Sequence, residues 1–398
     1  MSAVAGEAPY LDLSDPAFAI DSERVAEARE RSWYARTNYG LAVLRYEEVG
    51  AMLKDRRLRQ GSWAWPALNG VESGPLVEWW NRSLLNLEGD DHRRLRRLLS
   101  PAFTPGLVNG LAPRFRELAS ELIDAVAPGG RCEFVSEFAE PYAARVIATM
   151  LGVPETEWKR LAQLSSDLGL FLGVTIADDL DRIEAGLEGL YGYADQLIAE
   201  RRDAPGGDFV SGLVRARFDE DRLSDEELRV SIVLLIFGGM DTTRNQLGLA
   251  MQTLMAHPDQ WRLLGERPDL GPAAVEEVMR VNPTVTWITR EALEDLDFEG
   301  VEIPRGTTLH LLSGAAGSDP RAFPEPAFDI TATERPRHYG FGGGLHHCIG
   351  HFVARGDMSE ALPLLAARLR DPRPDGEPVS LPRSGNTGPI ELPIAFGG

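Results

Sequence analysis

The chain has 398 residues, of which 43% are hydrophobic and 26% are charged, as is ordinary for a globular protein. Its formal net charge of -20 argues against general nucleic-acid binding, because an acidic surface does not neutralise phosphates. The 2 cysteines, Cys132 and Cys348, cannot form a disulfide framework, so a reducing setting is expected.

The N-terminal segment and the hydropathy of the chain bear on membrane association. MSAVAGEAPYLDLSDPAF lacks a basic start followed by an apolar run, so we predict no secretory leader. No window approaches the roughly 18 uncharged apolar residues of a membrane span. The best window, 230–240, is too short. We therefore expect a cytoplasmic protein that engages no membrane.

Apolar residues recur at helical spacing through most of the chain, without an internal repeat. This spacing predicts helices over 113–126, 141–151, 178–202 and 224–256. A proline opens the first two, where its missing N–H is tolerated, and DAPGGD closes the third. A further helix is predicted from about Gly350 onward.

The helix predicted over 224–256 is the strongest element. Ser224 and Glu227 form a capping box, and His257-Pro258 ends the helix. About 32 residues at 1.5 Å each give a length of roughly 48 Å. Because its middle is apolar, we interpret it as a central buried helix.

Strand patterns are short and few. They lie at 41–46, 298–303, 307–312 and 390–396, and Pro304-Arg305-Gly306 predicts a tight turn between two of them. No linker composition divides the chain. We therefore predict a single domain over residues 1–398 that is mainly α with small peripheral β-sheets.

The centre of the long helix reads FGGMDTTRN. Gly238 and Gly239 each cost roughly 1 kcal/mol relative to alanine in a helix interior, so they need a reason. An acid and a hydroxyl, Asp241 and Thr242, follow in an otherwise apolar segment. Two interpretations stay open: close helix packing with Asp241 in solvent or an ion pair, or a site where a ligand approaches the backbone.

A second pattern is VEEVMRVNP, in which Glu277 and Arg280 are spaced i, i+3 on a predicted helix. The two side chains can pair on one helical face. An exposed pair of this kind is common and contributes little, so the pattern alone has low specificity.

A third pattern, DDHRRLRRLL, places His92 and Arg96 on one helical face and Arg93 and Arg97 on another. A basic cluster in an acidic chain suits a bound carboxylate or phosphate, or an acidic partner. A solvated face tied to nearby acids is the alternative.

The stretch FGGGLHHCIG, 341–350, combines Cys348 with His346 and His347. Zinc would need ligands that are better separated, and Cys132 lies far away in sequence. A cysteine nucleophile would need a base that is not its own chain neighbour. A metal thiolate before a helix N-terminus fits best, because the helix dipole stabilises a negative sulfur.

FGGGLHHCIG resembles the haem-binding signature of the cytochrome P450 monooxygenases. The matching positions are Phe341, Gly344, His346, Cys348 and Gly350. The ExxR pair and the glycine–acid–threonine helix occur in the family's order, and the resemblance extends from about residue 16 to the end. It implies the P450 fold, with a long central helix over the haem, and the bacterial branch that lacks a membrane anchor.

The resemblance implies a haem b (iron protoporphyrin IX) cofactor with Cys348 as the axial ligand of its iron. Residues implied to bind the cofactor are His92, Arg96, Gly238, Gly239, Arg290, Phe341, Gly342, His346, Cys348 and Gly350. Among these, two histidines and two arginines, His92, Arg96, Arg290 and His346, are implied partners of the propionates. Phe341 is expected to shield the sulfur.

Other roles follow from the same resemblance. Gly238 and Gly239 leave room for dioxygen, Thr242 orients it, and Asp241 relays protons, so Asp241 and Thr242 are the implied catalytic residues. The Glu277–Arg280 pair is structural. A basic patch of three arginines, Arg93, Arg97 and Arg355, suits an acidic ferredoxin.

The chain departs from the family pattern at several positions. His347 stands where an apolar residue is common, and we interpret it as surface-facing. Gly317 and Ser318 replace a more usual Asn-Arg. Gly356 and Pro363 interrupt the helix that follows the haem loop, so a kink is expected there.

The substrate pocket is expected to include Met240, Val285, Thr286 and Trp287. The segment 58–87 holds four tryptophans, which form a lid over an apolar or aromatic substrate, a docking surface for a carrier protein, or part of the core. We expect a small hydrophobic or aromatic substrate, free or bound to a carrier protein.

The expected reaction is insertion of one oxygen atom from O2 by hydroxylation or epoxidation, in bacterial secondary metabolism. Electrons come from NAD(P)H through a ferredoxin reductase and a ferredoxin, and the enzyme is a monomer. Oxidative coupling, and a haem-thiolate sensor without turnover, are the alternatives.

Overall fold

A computed structural model describes residues 8–15, 18–173, 176–218, 221–381 and 385–397. Two compact units share the chain. The first unit comprises Met1–Ser62, Glu276–Cys348 and Pro382–Thr387, and the second comprises Trp63–Val275, Ile349–Leu381 and Gly388–Gly398. Each unit is therefore built from segments distant in sequence, and a single domain stays a prediction.

Helices make up most of the regular structure. They are α1 (Glu23–Arg31), α2 (Tyr46–Met52), α3 (Trp65–Leu68), α4 (Pro75–Arg82), α5 (Gly89–Leu99), α6 (Pro105–Val126), α7 (Glu140–Leu151), α8 (Trp158–Gly169), α9 (Ile176–Asp203), α10 (Phe209–Arg215), α11 (Asp225–Met255), α12 (Pro258–Glu266), α13 (Gly271–Val281), α14 (Ser313–Gly317) and α15 (His351–Arg368). Among the described residues, no helix is both long and apolar enough to cross a bilayer.

The strands are short, as the sequence predicts. They are β1 (Tyr10–Leu11), β2 (Tyr34–Thr37), β3 (Gly40–Val43), β4 (Leu58–Gln60), β5 (Arg131–Glu133), β6 (Arg217–Phe218), β7 (Asp221–Arg222), β8 (Trp287–Ala292), β9 (Leu296–Phe298), β10 (Val301–Ile303), β11 (Thr308–Leu312), β12 (Arg370–Pro374), β13 (Val379–Ser380), β14 (Pro389–Glu391) and β15 (Pro393–Gly397).

The predicted helices are present, with one start placed wrongly. The prediction 113–126 is the C-terminal part of α6, which begins at Pro105 and carries Pro113 in its interior. The capping box of α11 is confirmed, because the Ser224 hydroxyl accepts from the Glu227 N–H at 3.2 Å and the Glu227 carboxylate accepts from the Ser224 N–H at 2.8 Å.

Two predicted strands are each divided in two. The prediction 298–303 covers a hairpin, in which β9 pairs antiparallel with β10. Its turn contains Glu299 and Gly300, both at positive φ, a conformation that tight two-residue hairpin turns require. The prediction 390–396 similarly spans β14 and β15, which pair with different strands.

The first unit is organised around a mixed sheet of six strands in the order β1-β2-β3-β11-β8-β4. Along β11, Leu309 and Leu311 join one hydrophobic cluster with Met52, while Leu312 joins a second cluster with Leu11. The sheet is therefore covered by apolar side chains on both faces.

The second unit is helical around α11, which packs against α7, α8 and α9. Most of the α11 side chains are buried, so the interpretation as a buried helix is confirmed. The helix α15 packs along α6 and runs without interruption through Gly356 and Pro363.

Candidate functional site

The cysteine loop lies in the first unit and is held in shape by its own backbone. The Cys348 N–H donates to the Phe341 carbonyl at 3.0 Å, which closes the loop. Gly344 has a φ of 65°, and a Cβ at this position would lie 2.1 Å from the Leu53 carbonyl oxygen. The glycine is therefore required both by its conformation and by the close approach of a neighbouring backbone.

The donor chemistry of this loop fits a metal held by one thiolate. Cys348 is a half-buried cysteine that is not in a disulfide. Within the described residues, no group of three or more His, Cys, Asp or Glu side chains is arranged to hold a metal ion, which disfavours the zinc hypothesis. The other cysteine, Cys132, is buried, and this burial raises the pKa of its thiol to about 12.

The aromatic and basic side chains of the loop are half-buried. Phe341 is half-buried, with its ring centroid 5.6 Å from that of His338. His346 is half-buried. His347 is also half-buried, and its Nε2 atom is shielded from solvent, so the interpretation as a surface-facing residue does not describe it fully.

The two central glycines of α11 differ in their surroundings. A Cβ on Gly239 would lie 2.4 Å from Cδ1 of Ile147 on α7, so this glycine permits close helix packing. A Cβ on Gly238 would meet no described atom within 4 Å. Of the two interpretations offered for the pair, packing accounts for Gly239, and open space for a ligand fits Gly238.

Asp241 and Thr242 follow these glycines on α11. The Thr242 hydroxyl donates to the carbonyl of Gly238, one helical turn earlier. The Asp241 carboxylate is buried and forms an ion pair with Arg244, with 2.7 Å between Oδ1 and the guanidinium nitrogen. Burial raises the pKa of Asp241, and the positive charge of Arg244 partly opposes that rise.

The predicted pair of Glu277 and Arg280 is confirmed and is fully buried. Two hydrogen bonds of 2.8 and 2.6 Å join the guanidinium and the carboxylate. Arg280 also donates to the carbonyl of Gly317 at 2.6 Å. A Cβ on Gly317 would lie 2.1 Å from the Arg280 carbonyl oxygen, so this departure from the family pattern has a steric reason.

The predicted propionate partners lie on regular elements of both units. In the first unit, Arg290 on β8 is buried, and its guanidinium donates to the Gln60 amide and to the Thr289 carbonyl at 3.0 Å. In the second unit, α5 carries His92, which is buried, and Arg96, which is half-buried.

The residues predicted for the substrate pocket differ in their contacts: two take part in backbone pairing, one packs in the core and one lines a cavity. In the first unit, Val285 forms a β-bridge with Asn386, and the Thr286 N–H donates to the Gly385 carbonyl at 3.1 Å. Trp287 belongs to a core cluster and meets the ring of His310 edge-on at 5.6 Å. In the second unit, Met240 lines a small cavity beside Asp241.

The tryptophan-rich segment contributes to the core more than to a lid. Trp79 and Trp80 are buried and pack against Phe171 with ring centroids 5.6 and 4.6 Å apart. The Trp65 indole donates to the Phe171 carbonyl at 3.0 Å. Of the four tryptophans, Trp63 is exposed.

The basic cluster on α5 is tied to acids of the second unit. Arg93 pairs with Asp90, and Arg97 lies 3.9 Å from Asp221. Arg94, which the helical-face pattern did not single out, bonds Asp221 at 2.9 Å and also Glu227. The alternative of a helix face tied to nearby acids therefore describes much of this cluster.

Comparison with known proteins agrees with this geometry. A family profile described as Cytochrome P450 matches residues 269–371. The chain is 40% identical over 394 residues to luteothin monooxygenase of Streptomyces thioluteus, covering 98% of this chain and 96% of the relative. The chain belongs to the cytochrome P450 family. Mycinamicin IV hydroxylase/epoxidase of Micromonospora griseorubida is 36% identical over 361 residues, covering 89% of each protein.

Solved P450 structures share the fold. The crystal structure of CalO2 matches with a TM-score of 0.87 and 31% identity, covering 96% of this chain and 100% of that one. P450BioI in complex with an acyl carrier protein that carries hexadec-9Z-enoic acid matches with a TM-score of 0.85 and 32% identity, covering 96% and 99%. The predicted P450 fold is therefore confirmed.

Membership of the family makes this protein a haem-thiolate monooxygenase. Three features of the chain fit a haem: the single thiolate of Cys348, the closed glycine-rich loop that presents it, and the open space beside Gly238. The roles of the remaining site residues stay predictions.

Proposed function

We propose that this P450 hydroxylates or epoxidises a small hydrophobic or aromatic natural product of bacterial secondary metabolism. The observation that supports this most directly is the likeness, over nearly the whole chain, to a protein named luteothin monooxygenase. The names of two further relatives, mycinamicin IV hydroxylase/epoxidase and nocardicin C N-oxygenase, also denote oxygenation of a small molecule.

Haem b bound through Cys348 supplies the activation of dioxygen. In the first unit, Cys348 would hold the iron, Phe341 would shield the sulfur and Gly342 would shape the loop, while His346 and Arg290 would bind propionates. In the second unit, His92 and Arg96 would bind propionates, and Gly350 precedes α15. The chain thus supplies one anionic ligand together with cationic or donor side chains for the acidic cofactor.

Asp241 and Thr242 serve oxygen activation and proton delivery. The open face at Gly238 leaves room beside the Thr242 hydroxyl, which orients oxygen or water. The buried carboxyl of Asp241 passes a proton toward that hydroxyl. Met240, Val285, Thr286 and Trp287 remain the proposed substrate contacts.

Electrons are proposed to come from NAD(P)H through a ferredoxin reductase and a ferredoxin. The exposed Arg93 and Arg97 and the half-buried Arg355 offer positive charge to such an acidic partner. We propose a monomer in the cytoplasm, in keeping with two cysteines, Cys132 and Cys348, that do not form a disulfide.

Thiolate ligation is tested by the absorption spectrum of the reduced, carbon-monoxide-bound protein. We expect the red-shifted Soret band of a thiolate-ligated haem, and we expect Cys348→Ser to abolish it. Cys132→Ala is the matched control, because the other cysteine is then removed without loss of the band. A Cys348→Ser protein that keeps the band would refute the ligand assignment.

Substrate class is tested by spectral titration with hydrophobic and aromatic natural products, both as free acids and as thioesters on an acyl carrier protein. The carrier-bound arm is included because the P450BioI structure holds such a carrier. We expect binding of an aromatic or apolar compound to displace water from the iron, with oxygenated product on addition of electrons. Product without a new oxygen atom would favour oxidative coupling.

A further inference from the structure

A small cavity lies in the second unit, on the side of α11 that packs against α7 and α8. Its volume is about 10 Å³ for the centre of a water molecule, so it has room for about one ordered water. Its lining comes from three helices: Glu140 of α7, Ala162, Ser165 and Ser166 of α8, and Met240, Asp241 and Arg244 of α11. The acid proposed to deliver protons therefore faces a partly polar chamber.

Three charged side chains line this chamber, and their exposure falls from one end to the other. The side chain of Glu140 is 33% exposed, that of Arg244 is 12% exposed and that of Asp241 is 7% exposed. A guanidinium nitrogen of Arg244 lies 2.7 Å from Asp241, and another lies 3.9 Å from Glu140. In space, the three side chains therefore lead from solvent at Glu140, past Arg244, to the buried Asp241.

Arg244 is held in this position by further contacts. Its Nε and Nη2 atoms donate to the side-chain oxygen of Asn245 at 3.2 Å. Its Nη1 atom donates to the Ser166 hydroxyl at 3.4 Å. Because the guanidinium is planar and anchored on both sides, it fixes the orientation of the Asp241 carboxylate.

Of the side chains that line the cavity, Ser165 has a hydroxyl without a partner in the described part of the chain. Its side chain is 2% exposed, and its hydroxyl has no hydrogen-bond partner among the described residues. Buried hydroxyls are normally satisfied by protein or by ordered water, and this chamber can hold one water within reach of its polar side chains. The hydroxyl lines the cavity beside Asp241.

One glycine leaves the carboxylate accessible from α8. A Cβ on Gly169 would lie 3.7 Å from both carboxylate oxygens of Asp241, so a larger side chain would cover them. Gly169 has a φ of -58°, which any residue adopts. The substitution Gly169→Val would therefore place apolar atoms against the Asp241 carboxylate, and so hinder its contact with water, without backbone strain.

We propose that ordered water in this chamber, bound to Ser165, links Glu140 to Asp241 as the route by which protons enter, with Arg244 as a positioning residue for Asp241. The proposal rests on the proposed function, in which Asp241 delivers protons. Insertion of one oxygen atom, with the other leaving as water, consumes two protons and two electrons, and NAD(P)H supplies the electrons. Each proton lost from the Asp241 carboxyl is replaced from the chamber water, which is reprotonated from Glu140 or bulk solvent.

The route is tested without turnover by infrared spectroscopy of the ferric, haem-loaded enzyme. At a pH low enough to protonate Asp241, its carboxyl band is assigned by its loss in Asp241→Asn, and the rate at which the carboxyl proton exchanges for deuterium is followed. We expect three substitutions each to slow this exchange by about tenfold: Ser165→Ala, Glu140→Gln and Gly169→Val. This effect is smaller than the ~10²–10⁴-fold by which a positioned acid or base typically raises a reaction rate.

Ser231→Ala is the matched control. Ser231 lies on the same helix as Asp241, is buried, and has a hydroxyl without a partner among the described residues, but it does not line the chamber. We expect the Asp241 carboxyl of Ser231→Ala to exchange at the same rate as in the parent enzyme. The route would be overturned if Ser165→Ala, Glu140→Gln and Gly169→Val all exchanged at the same rate as the Ser231→Ala control and the parent enzyme.

The positioning role of Arg244 is tested by a pH titration of the same band. We expect Arg244→Ala to move the titration of Asp241 to higher pH. Arg244→Lys, which keeps the positive charge, should return the titration most of the way to its position in the parent enzyme. A titration that is unmoved in Arg244→Ala would refute the role.

Turnover separates this proposal from the proposed function. If Asp241→Asn leaves the coupling of NAD(P)H oxidation to product unchanged, the assigned role of Asp241 fails. If Asp241→Asn uncouples the enzyme while Ser165→Ala, Glu140→Gln and Gly169→Val match the parent in exchange rate and solvent isotope effect, the route fails and the function stands.

Discussion

At the scale of single residues, the adjacent glycines of α11 have different physical reasons. Gly239 is fixed by the approach of Ile147, whereas the Cα of Gly238 faces open space. Two adjacent glycines inside a helix indicate that a neighbouring group or a ligand comes close to the backbone. The atoms around each glycine then show which of the two serves helix packing. Gly238 is the one whose replacement affects chemistry without crowding a neighbouring helix.

We expect Gly239→Ala to lower the free energy of unfolding by about 1–3 kcal/mol, because the new methyl overlaps Ile147. Gly238→Ala should instead raise it by up to about 1 kcal/mol through helix propensity. It should also lower product formed per NAD(P)H, since the methyl enters the space proposed for dioxygen. Chemical denaturation and coupling assays on the matched pair check this, and equal stability in both variants would contradict it.

His310 on β11 predicts a dependence of stability on pH. Burial lowers the pKa of His310 to about 4, against an ordinary value of 6.5. Because the folded-state pKa lies below the unfolded one, stability is full above about pH 6.5 and falls as the pH drops toward 4. At about 1.4 kcal/mol for each pH unit, the loss amounts to about 3 kcal/mol.

Replacement by a neutral side chain removes this contribution. We expect His310→Leu to flatten the pH dependence of the free energy of unfolding between about pH 4 and 6.5. His257→Gln, on a half-buried histidine, is the control and should leave the slope in place. A slope that persists in His310→Leu would show that another group carries the acid sensitivity.

At the scale of elements, α15 shows why a helix breaker does not always break a helix. Gly356 and Pro363 predict an interruption, yet the helix is continuous from His351 to Arg368. A Cβ on Gly356 would lie 2.2 Å from a methyl of Val108 on α6. The glycine therefore permits two helices to approach closely, and tertiary packing outweighs its low helix propensity.

We expect Gly356→Ala to lower the free energy of unfolding by about 1–3 kcal/mol through overlap with Val108. The double variant Gly356→Ala/Val108→Ala should recover part of this loss, because the clashing methyl groups are gone. A double-mutant cycle by denaturant unfolding measures the coupling. Additive single effects would exclude this contact as the reason for the glycine.

At the scale of the whole molecule, the sequence predicted what depends on local pattern. The capped α11 and the Glu277–Arg280 pair each have a short signature, and both are present. The hairpin at 298–303 was missed because its turn, Glu299-Gly300, is the only break in an otherwise continuous strand pattern. Arg94 was missed because its partners lie more than a hundred residues away, where periodicity carries no information.

The division into two compact units was not predicted either. Each unit combines segments that are distant in the chain, and no change of composition marks the points where the chain passes between them. Such organisation depends on contacts between distant residues, whereas composition and periodicity report on neighbours. The sequence does mark one organising feature of the first unit, the buried pair of Glu277 and Arg280, whose hydrogen-bond partners lie within residues 317–329.

These partners lie in a segment with little regular structure. Arg280 donates to the carbonyls of Gly317, Pro326 and Ala327, and the Glu277 carboxylate accepts from the Asp329 N–H at 2.9 Å. Because the two side chains are only 2% and 4% exposed, removing Arg280 leaves a buried carboxylate that keeps Arg335, at 3.3 Å, but loses its two direct hydrogen bonds to Arg280. The pair therefore holds the course of residues 317–329.

We expect Arg280→Leu to lower the free energy of unfolding by about 3–5 kcal/mol, the usual result of breaking a buried ion pair. Amide hydrogen exchange should accelerate over 317–329, while the amides of α6 and α15 in the second unit keep their protection. Arg267→Leu is the control, because its exposed pair with Asp269 should contribute at most about 1 kcal/mol. Uniform acceleration across both units would mean that the pair stabilises the molecule globally rather than ordering one segment.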